Sequence, residues 1–260
     1  MPELPDVEHA RGILSRHTAG RRIQRVVTTD EGILRNVNAA DLDRALRGHR
    51  FEEPERHGKW LLAWTTGPAV LIHFGMTGRL IPANGPTGRH RHDRVIVELD
   101  RGELRYRNMR KLGGVWLAHD REEAAAILGP LGPDAMALDR RRFRALLERR
   151  RGKVKAALMD QRLLAGIGNL LADEALWRAG IHPARRIEEL GSEERQRLFD
   201  AIRAVVRTSV RRFDRLPAGW LIHVRGRPDA ACPRCGSPLG RTVVGGRTTY
   251  FCPTHQPAID

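Results

Sequence analysis

The chain has 260 residues, enough for two domains that each bury a core. No run approaches the ~18 apolar residues that a membrane-spanning helix needs, so we expect a soluble protein. The 46 Lys and Arg residues outnumber the 31 Asp and Glu residues, giving a formal net charge of +15 and a sequence pI near 11.2. Such a charge favours a polyanionic partner, most often nucleic acid. Arginine-rich genome composition is an alternative source of the charge, because few of the cations are lysines.

The first elements in chain order are a helix and then a series of short strands. Residues 1–6 read MPELPD, and this start has neither the basic nor the apolar region of a signal peptide. Residues 4–18 carry apolar side chains at helical spacing and stop before Gly20, so we predict a helix there. Residues 22–117 consist mostly of short apolar or alternating runs between Gly, Pro and Asp, such as KWLLAWTT and RVIVELD. This spacing predicts an antiparallel β-sandwich or barrel.

The pattern changes after the two Gly-Pro pairs of ILGPLGPDAMALD, which we interpret as a domain linker at 128–138. Beyond it, apolar side chains recur every three or four residues, which predicts four helices, at 139–150, 153–161, 169–180 and 192–212. The tail returns to short strands. We therefore predict an α+β chain with an N-terminal β-sandwich domain at 1–127, a helical domain at 139–230 and a metal-binding β-hairpin at 231–260.

All three cysteines lie near the end of the chain, and their odd number favours a metal site over a disulfide framework, as expected in a reducing cytoplasm. Cys232, Cys235, Cys252 and His255 have the spacing C-x2-C-x16-C-x2-H, which suits a closed tetrahedral zinc site. RTVV and TTYF between the two pairs are strand-like, and Gly-Gly between them suits a tight turn. Because so small a hairpin has too little core to fold alone, we predict one structural zinc ion. A chance pairing in a frayed tail is the alternative.

A second pattern is LMDQRLLAGIGNLLADEALWRAG, in which GIGN at 166–169 ends one helix and begins another. Free backbone amides at a helix start bind phosphate, and Asn169 can add a side-chain donor. Lys153 and Lys155 flank this site as positive charges. An ordinary N-cap is the alternative for Asn169. Arg247 follows the hairpin turn and is either a solvated arginine or a further phosphate contact.

Together these motifs resemble the formamidopyrimidine-DNA glycosylase and endonuclease VIII family of DNA-repair enzymes. The resemblance runs over essentially the whole chain and rests on PELPDVE, HGKWLL, HFGMTGRL, NMRKLGG, KAALMDQ with GIGN, and CPRCG…GGRTTYFCP, in that order. It implies a β-sandwich domain, a helix–two-turns–helix domain and a zinc-finger hairpin, with DNA in the cleft between domains. It also implies base-excision repair, in which an oxidised or ring-opened base is removed and the strand is then cleaved by AP-lyase action.

The resemblance implies that the amino terminus is the nucleophile. Removal of Met1 exposes Pro2, and an α-amino group has an ordinary pKa of ~7.7–8.0 against ~10.4 for lysine. Because proline is a secondary amine, its attack on C1′ of the damaged nucleotide gives a cationic iminium. Glu3 matches the family's catalytic carboxylate, which moves protons at the sugar. A plain helix start with proline and acidic residues is the alternative interpretation.

Further residues match DNA contacts of the family. Lys59, Asn169 and Arg247 match residues that grip phosphates around the flipped nucleotide, and we assign Lys59 and Arg247 to the catalytic centre. Asp6 stands where the family usually has Glu. Together with Lys155 it is placed in the predicted DNA-binding set.

The resemblance also supplies the residues that occupy the gap left by a flipped base. Met76 and Arg110 match two of them. The third is normally Phe, and here Leu112 gives an apolar wedge without a ring to stack. These three complete the predicted contacts to damaged double-stranded DNA.

Two other functions remain open at this level. One is a catalytically silent damaged-DNA-binding protein of the same architecture, and the other is an RNA-binding zinc-ribbon protein. We expect a monomer in the bacterial cytoplasm, associated with the nucleoid. Between the last long helix and Cys232 the chain is short and reads as apolar or strand-like at WLIHV. Since few residues are left for a lid over a flipped purine, we expect an endonuclease VIII-like enzyme with weak 8-oxoguanine excision.

Overall fold

The computed structural model describes residues 2–258. They divide into two compact units, Met1–Pro130 and Leu131–Asp260. This division falls inside the segment 128–138, and the domain limits proposed from the sequence stay a prediction. The expected removal of Met1 concerns a residue outside the described range. Within residues 2–258, no helix is both long and apolar enough to cross a membrane.

Residues 2–130 contain three α-helices and eight strands, besides one 3-10 turn at Glu31–Ile33. They are α1 (Leu4–Thr18), β1 (Ile23–Thr28), α2 (Ala39–Leu46), β2 (Glu55–His57), β3 (Trp60–Ala63), β4 (Ala69–His73), β5 (Arg79–Ala83), β6 (Asp93–Leu99), β7 (Glu103–Arg107), β8 (Gly114–Ala118) and α3 (Arg121–Leu128). The predicted helix over 4–18 is confirmed, and the chain turns after it at Gly20, whose φ is 72°.

The strands form two four-stranded antiparallel sheets, in the orders β1-β6-β7-β5 and β2-β3-β4-β8. Val26 and Leu104 of the first sheet share one buried cluster with Leu61 and Val115 of the second. Val7 of α1 belongs to the same cluster. The predicted antiparallel sandwich is therefore confirmed, and α1 packs against its core.

The second sheet is apolar on both faces. Leu62 and Leu71 point away from the sandwich core and pack with Ala124 of α3 in a separate cluster. Because successive side chains of a strand alternate between faces, a sheet covered on both sides reads as a continuous apolar run. This accounts for AVLIH over β4.

Sequence analysis missed the two short helices of this unit. Asn38 caps α2 by accepting from the backbone N–H of Asp41 at 2.9 Å, and Asp120 caps α3 by accepting from that of Glu123 at 2.8 Å. Both helices are eight residues long and lie in strand-rich sequence. Their N-cap residues, each followed three positions later by an acid, were the available signal.

Residues 131–258 contain four α-helices and one hairpin, besides 3-10 turns at Ile187–Glu189 and Leu221–His223. They are α4 (Arg140–Glu148), α5 (Val154–Met159), α6 (Asn169–Ala179), α7 (Ser192–Arg211), β9 (Gly240–Val244) and β10 (Arg247–Phe251). All four predicted helices are confirmed, and β9 pairs with β10 in antiparallel register. Gly245 and Gly246 form the turn with φ of 57° and 70°, a backbone conformation that favours glycine.

The expectation that WLIHV is strand-like is wrong. Leu221–His223 is a single 3-10 turn, preceded by the buried Trp220. Leu221 is 0% exposed and clusters with Trp177 of α6. The backbone N–H of Ile222 donates to the Glu174 carboxylate at 3.2 Å. Packing against α6 overrides the β propensity of this segment.

Candidate functional site

The start of α1 presents Pro2 and Glu3. Pro2 is half-buried and the Glu3 side chain is 2% exposed. The backbone N–H of Glu3 donates to Asp6 Oδ2 at 2.8 Å, which satisfies a helix-terminal donor. Burial raises the pKa of the Asp6 carboxyl, against the opposing effect of this hydrogen bond. The Asp6 carboxylate therefore holds the backbone of Glu3, and its predicted contact with DNA stays a prediction.

Lys59 lies in the tight turn between β2 and β3, where His57 pairs with Trp60. Arg56 donates to the Gly58 carbonyl of this turn at 3.0 Å and forms a largely buried ion pair of 2.9 Å with Glu8 of α1. The turn that carries Lys59 is therefore tied to α1, the helix that follows Pro2 and Glu3.

The Lys59 charge also reaches the neighbouring strand. Burial lowers the pKa of His73, and the positive charge of Lys59 lowers it further. His73 pairs with Trp60 across β3 and β4, and the two rings lie 5.1 Å apart between centroids. Lys59 and burial therefore both disfavour the charged form of His73.

Met76 and Leu112 lie in two neighbouring loops, between β4 and β5 and between β7 and β8. Their side chains are 37% and 57% exposed, and Arg110 is also exposed. Met109, which sequence analysis missed, is 56% exposed in the second loop. Its signal was a large apolar residue inside the basic stretch NMRKL. We call Met76, Met109, Arg110 and Leu112 the exposed loop group.

The buried Asn108 side chain joins these two loops. Its Oδ1 accepts from Thr77 Oγ1 at 2.9 Å and from the backbone N–H of Lys111 at 3.0 Å. Its Nδ2 donates to the Tyr106 hydroxyl at 2.8 Å. Lys111 adopts a φ of 53°, which a non-glycine residue rarely does, and its ammonium group donates to Asp30 at 2.9 Å. The hydrogen bonds of Asn108 therefore hold the backbones of the two loops in place, and the exposed apolar side chains project from this fixed backbone.

In the second unit, two turns connect α5 to α6 over residues 160–168. Gln161 braces them, because its side-chain amide donates to the carbonyls of Met159 and Ile167 at 2.7 and 2.8 Å. The Gln161 side-chain oxygen accepts from the Gly166 N–H at 3.0 Å. This arrangement brings GIGN to the start of α6, as the sequence predicts, with Gly168 as the N-cap.

Asn169 is the first residue of α6. Its side-chain amide donates to the Thr248 carbonyl of the hairpin at 3.2 Å. Arg247, the residue before Thr248, is exposed at the start of β10. The structure therefore brings these two predicted phosphate contacts to neighbouring positions.

Lys155 is buried, and its predicted role as a DNA contact is wrong. Its side chain is 0% exposed, and Nζ lies 2.7 Å from Asp173 Oδ1 and 2.6 Å from Thr249 Oγ1. An ammonium group buried in this way is held by its partners and has no open face for a phosphate. Its neighbour Lys153 remains exposed at the start of α5.

The four predicted zinc ligands come together. One donor atom from each of Cys232, Cys235, Cys252 and His255 lies within 4.8 Å of the other three. Sγ of Cys235 and Sγ of Cys252 are 3.7 Å apart, close to the ~3.8 Å that a tetrahedral ion at ~2.3 Å from each sulfur requires. His255 Nε2 is buried and has no hydrogen-bond partner among the described residues.

The surroundings favour a thiolate at Cys235 and act in the opposite direction on Cys252. Hydrogen bonds with Ser237 lower the pKa of the Cys235 thiol to about 6, whereas burial raises that of Cys252. The indole N–H of Trp177 donates to Cys232 Sγ at 3.4 Å. The cluster is one structural zinc site, closed by four protein ligands.

Three family models match the chain in succession. They are the formamidopyrimidine-DNA glycosylase N-terminal domain at residues 1–115, the formamidopyrimidine-DNA glycosylase H2TH domain at 129–215, and the zinc finger found in FPG and IleRS at 231–254.

Relatives that match over nearly their whole length belong to the same family as the three models. The chain is 33% identical over 277 residues to a formamidopyrimidine-DNA glycosylase of Bacillus anthracis, with 100% of both chains covered. It is 38% identical to that of Nocardioides sp. (strain ATCC BAA-499 / JS614), covering 99% of this chain and 95% of the relative.

A crystal structure of wild-type Lactococcus lactis Fpg (MutM) in complex with DNA containing N7-benzyl-Fapy-dG superposes with a TM-score of 0.89 at 28% identity, covering 99% of this chain and 100% of the other. A complex of the Lactococcus lactis Fpg with DNA containing an abasic site gives 0.89 at 27% identity and the same coverage. The chain therefore belongs to the formamidopyrimidine-DNA glycosylase family.

Proposed function

We propose that this protein is a base-excision-repair DNA glycosylase with AP-lyase activity, which removes oxidised or ring-opened bases from damaged double-stranded DNA. The observation that carries the proposal lies directly before α1, where Glu3 follows Pro2, its carboxylate is buried and its backbone N–H is held by Asp6. The full-length likeness to formamidopyrimidine-DNA glycosylases supports it. We further propose that the protein acts as a monomer in the bacterial cytoplasm, beside the nucleoid.

The proposed chemistry uses the amine of Pro2. Its lone pair forms a bond to C1′ of the damaged nucleotide as the bond from C1′ to the base breaks, and the base leaves with a proton. The proline nitrogen then gives up its own proton, the C1′–O4′ bond breaks as O4′ takes a proton delivered by Glu3, and the nitrogen lone pair forms the cationic iminium between Pro2 and C1′. Because the iminium withdraws electrons, a C2′ proton is lost and the 3′ phosphate is eliminated, which cleaves the strand. Glu3 handles the protons at the sugar.

The same proposal assigns the DNA contacts. A base must leave the stack before C1′ is accessible, and something must fill the gap. The exposed loop group provides apolar and cationic side chains on a braced base, with Met109 added to the three residues that the sequence indicates. Lys59, Asn169 and Arg247 grip the phosphates beside the flipped nucleotide.

Borohydride trapping tests this function. Addition of borohydride during reaction with abasic-site DNA should reduce the iminium and leave a covalent complex, and mass spectrometry should place the adduct on Pro2. A variant with one extra residue before Pro2 is the matched control, because it keeps every side chain but blocks the amine. It should bind the DNA and give no adduct.

Three results would contradict the proposal. An adduct on Lys59 would move the nucleophile to a side chain. Tight binding of abasic DNA without any adduct would favour the silent DNA-binding protein. A preference for structured RNA over damaged duplex would favour the RNA-binding alternative.

A further inference from the structure

One buried carboxylate in the second unit holds three segments of the chain together. Asp173 of α6 is 1% exposed. Its Oδ1 lies 2.7 Å from the Lys155 ammonium of α5. Its Oδ2 accepts from Arg225 Nη2 at 2.7 Å and from the backbone N–H of Tyr250 at 3.3 Å. We call Lys155, Asp173 and Arg225 the Asp173 cluster.

The Asp173 cluster reaches the hairpin directly beside Arg247. Lys155 Nζ donates to Thr249 Oγ1 at 2.6 Å and contacts the Thr248 carbonyl at 3.4 Å. Asn169 donates to the same carbonyl. The two proposed phosphate contacts, Asn169 and Arg247, are therefore joined through Thr248, and the cluster fixes the strand that joins them.

Arg225 brings the segment between α7 and the hairpin into this arrangement. Its side chain is 11% exposed, and its guanidinium lies over the Tyr250 ring at 5.1 Å from the centroid. With Lys155 it places two cations on one buried carboxylate. Removing one partner of a buried ion pair is costly, since the remaining charges lose their compensation.

We propose that Asp173 and Arg225 are positioning residues for the DNA-binding hairpin, acting through residues 248–250 on Arg247 and Asn169. The hairpin is then held at two places, by zinc at its base and by the Asp173 cluster next to its tip. This inference rests on the proposed function, because it concerns the grip on DNA.

The first test is a double-mutant cycle with Arg225→Ala and Arg247→Ala, measured as affinity for a duplex with an uncleavable abasic analogue. Arg225→Ala should weaken binding about tenfold and lower the slope of log affinity against log salt by about one phosphate contact. In the Arg247→Ala background it should cause no further loss, because residues that act through one another are not additive. Zinc content should stay at one ion per chain.

Arg207→Ala is the matched control. Arg207 is exposed on α7 and its replacement removes the same charge from the same unit. It should leave affinity and salt slope within about twofold of the wild-type values. Unchanged binding in Arg225→Ala, or a full additive loss in the double variant, would overturn the proposal; the latter would mean that Arg225 touches DNA itself.

The second test needs no DNA. Hydrogen exchange of the backbone amides at 248–250 should be at least about tenfold faster in Asp173→Asn and in Arg225→Ala than in the wild-type protein. If Arg225→Ala loses its zinc, Arg225→Lys, which keeps the positive charge, takes its place in the hydrogen-exchange comparison. Unchanged exchange would overturn the positioning role. Failure of the wild-type chain to bind damaged DNA would contradict the proposed function. The hydrogen-exchange result would still decide whether the Asp173 cluster fixes residues 248–250.

Discussion

Glu3 and Asp6 lie three residues apart at the start of α1, and the fold uses their two carboxylates differently. Asp6 accepts the backbone N–H of Glu3, while the Glu3 side chain is buried next to Pro2 in the chain. An acid at this position favours a helix start in any protein. Here the same hydrogen bond also fixes the backbone that carries the proposed catalytic pair.

Replacing Asp6 with Ala should affect both stability and chemistry. The variant loses a helix-terminal acceptor, which costs about 1 kcal/mol of unfolding free energy. It also frees the backbone of Glu3, and small displacements of reacting groups slow catalysis by ~10- to 100-fold. Urea unfolding and the single-turnover rate of borohydride trapping measure the two effects.

Asp120→Ala is the control for Asp6→Ala. Asp120 also satisfies one backbone N–H at a helix start, although in the reverse sense, because it is the N-cap of α3 and accepts from the backbone N–H of Glu123 at 2.8 Å. Its loss should cost a similar free energy of unfolding and leave the trapping rate unchanged. If both variants slowed trapping equally, Asp6 would act only through stability.

Among the elements, the hairpin of β9 and β10 depends on its metal. Its strands have five residues each, and two of the ligands that flank it, Cys232 and Cys252, are themselves buried. Mild acid should release zinc because the ligands must be deprotonated to bind it, and chelators should release zinc by competing for the ion. We expect loss of one zinc ion per chain, together with loss of hairpin structure and of DNA binding, as followed by metal analysis and hydrogen exchange.

Arg247→Ala distinguishes the effect of the DNA contact from the effect of the metal. The variant should keep its zinc, since Arg247 lies at the far end of the hairpin from the ligands, and should still bind DNA more weakly. Folded protein with full lyase activity and no zinc would contradict the structural role of the metal.

The segment between α7 and Cys232 bears on the range of lesions. Trp220 and Leu221 are buried, Glu174 holds Ile222, and Arg225 is tied to Asp173. A segment packed in this way leaves few residues for a lid that would bind the edge of a flipped purine. We therefore expect slow excision of 8-oxoguanine relative to abasic sites, ring-opened purines or oxidised pyrimidines.

Single-turnover rates on duplexes that differ only in the lesion test this expectation. Leu112 also favours a broad range of substrates. Because its side chain has no ring to stack, we expect weak discrimination between the bases opposite the lesion. Matched duplexes with each of the four opposite bases measure that discrimination. If 8-oxoguanine opposite cytosine were the fastest base lesion, the argument from the short segment would be wrong.

Across the whole molecule, the cations behind the net charge of +15 differ in whether they are free to meet a polyanion. Several arginines are occupied inside the units, such as Arg56 with Glu8 and Arg105 with Asp93 and Glu103. Ion pairs at the surface contribute little to the free energy of unfolding. The excess of cations over acidic residues gives the net charge. The composition therefore predicts attraction to a polyanion, while the positions of individual cations decide which of them can reach it.

Much of the fold and the zinc site follow from local sequence. The periods of 3.6 and 2 residues, the turn glycines and the spacing of Cys232, Cys235, Cys252 and His255 depend on neighbours along the chain, and each gives the observed element. The motifs PELPD and GIGN likewise placed Glu3 and Asn169 at the starts of helices, and their roles at the site stay predictions.

The tertiary structure decided what depends on distant partners. Lys155 reads as a surface cation beside a phosphate site, yet it is buried because Asp173 converges on its ammonium group together with Thr249, which lies 94 residues further along the chain. WLIHV reads as a strand, yet it packs on α6 as a 3-10 turn. A side chain's type and local spacing are written in the sequence, whereas its burial and its partners arise only when segments far apart in the chain pack together.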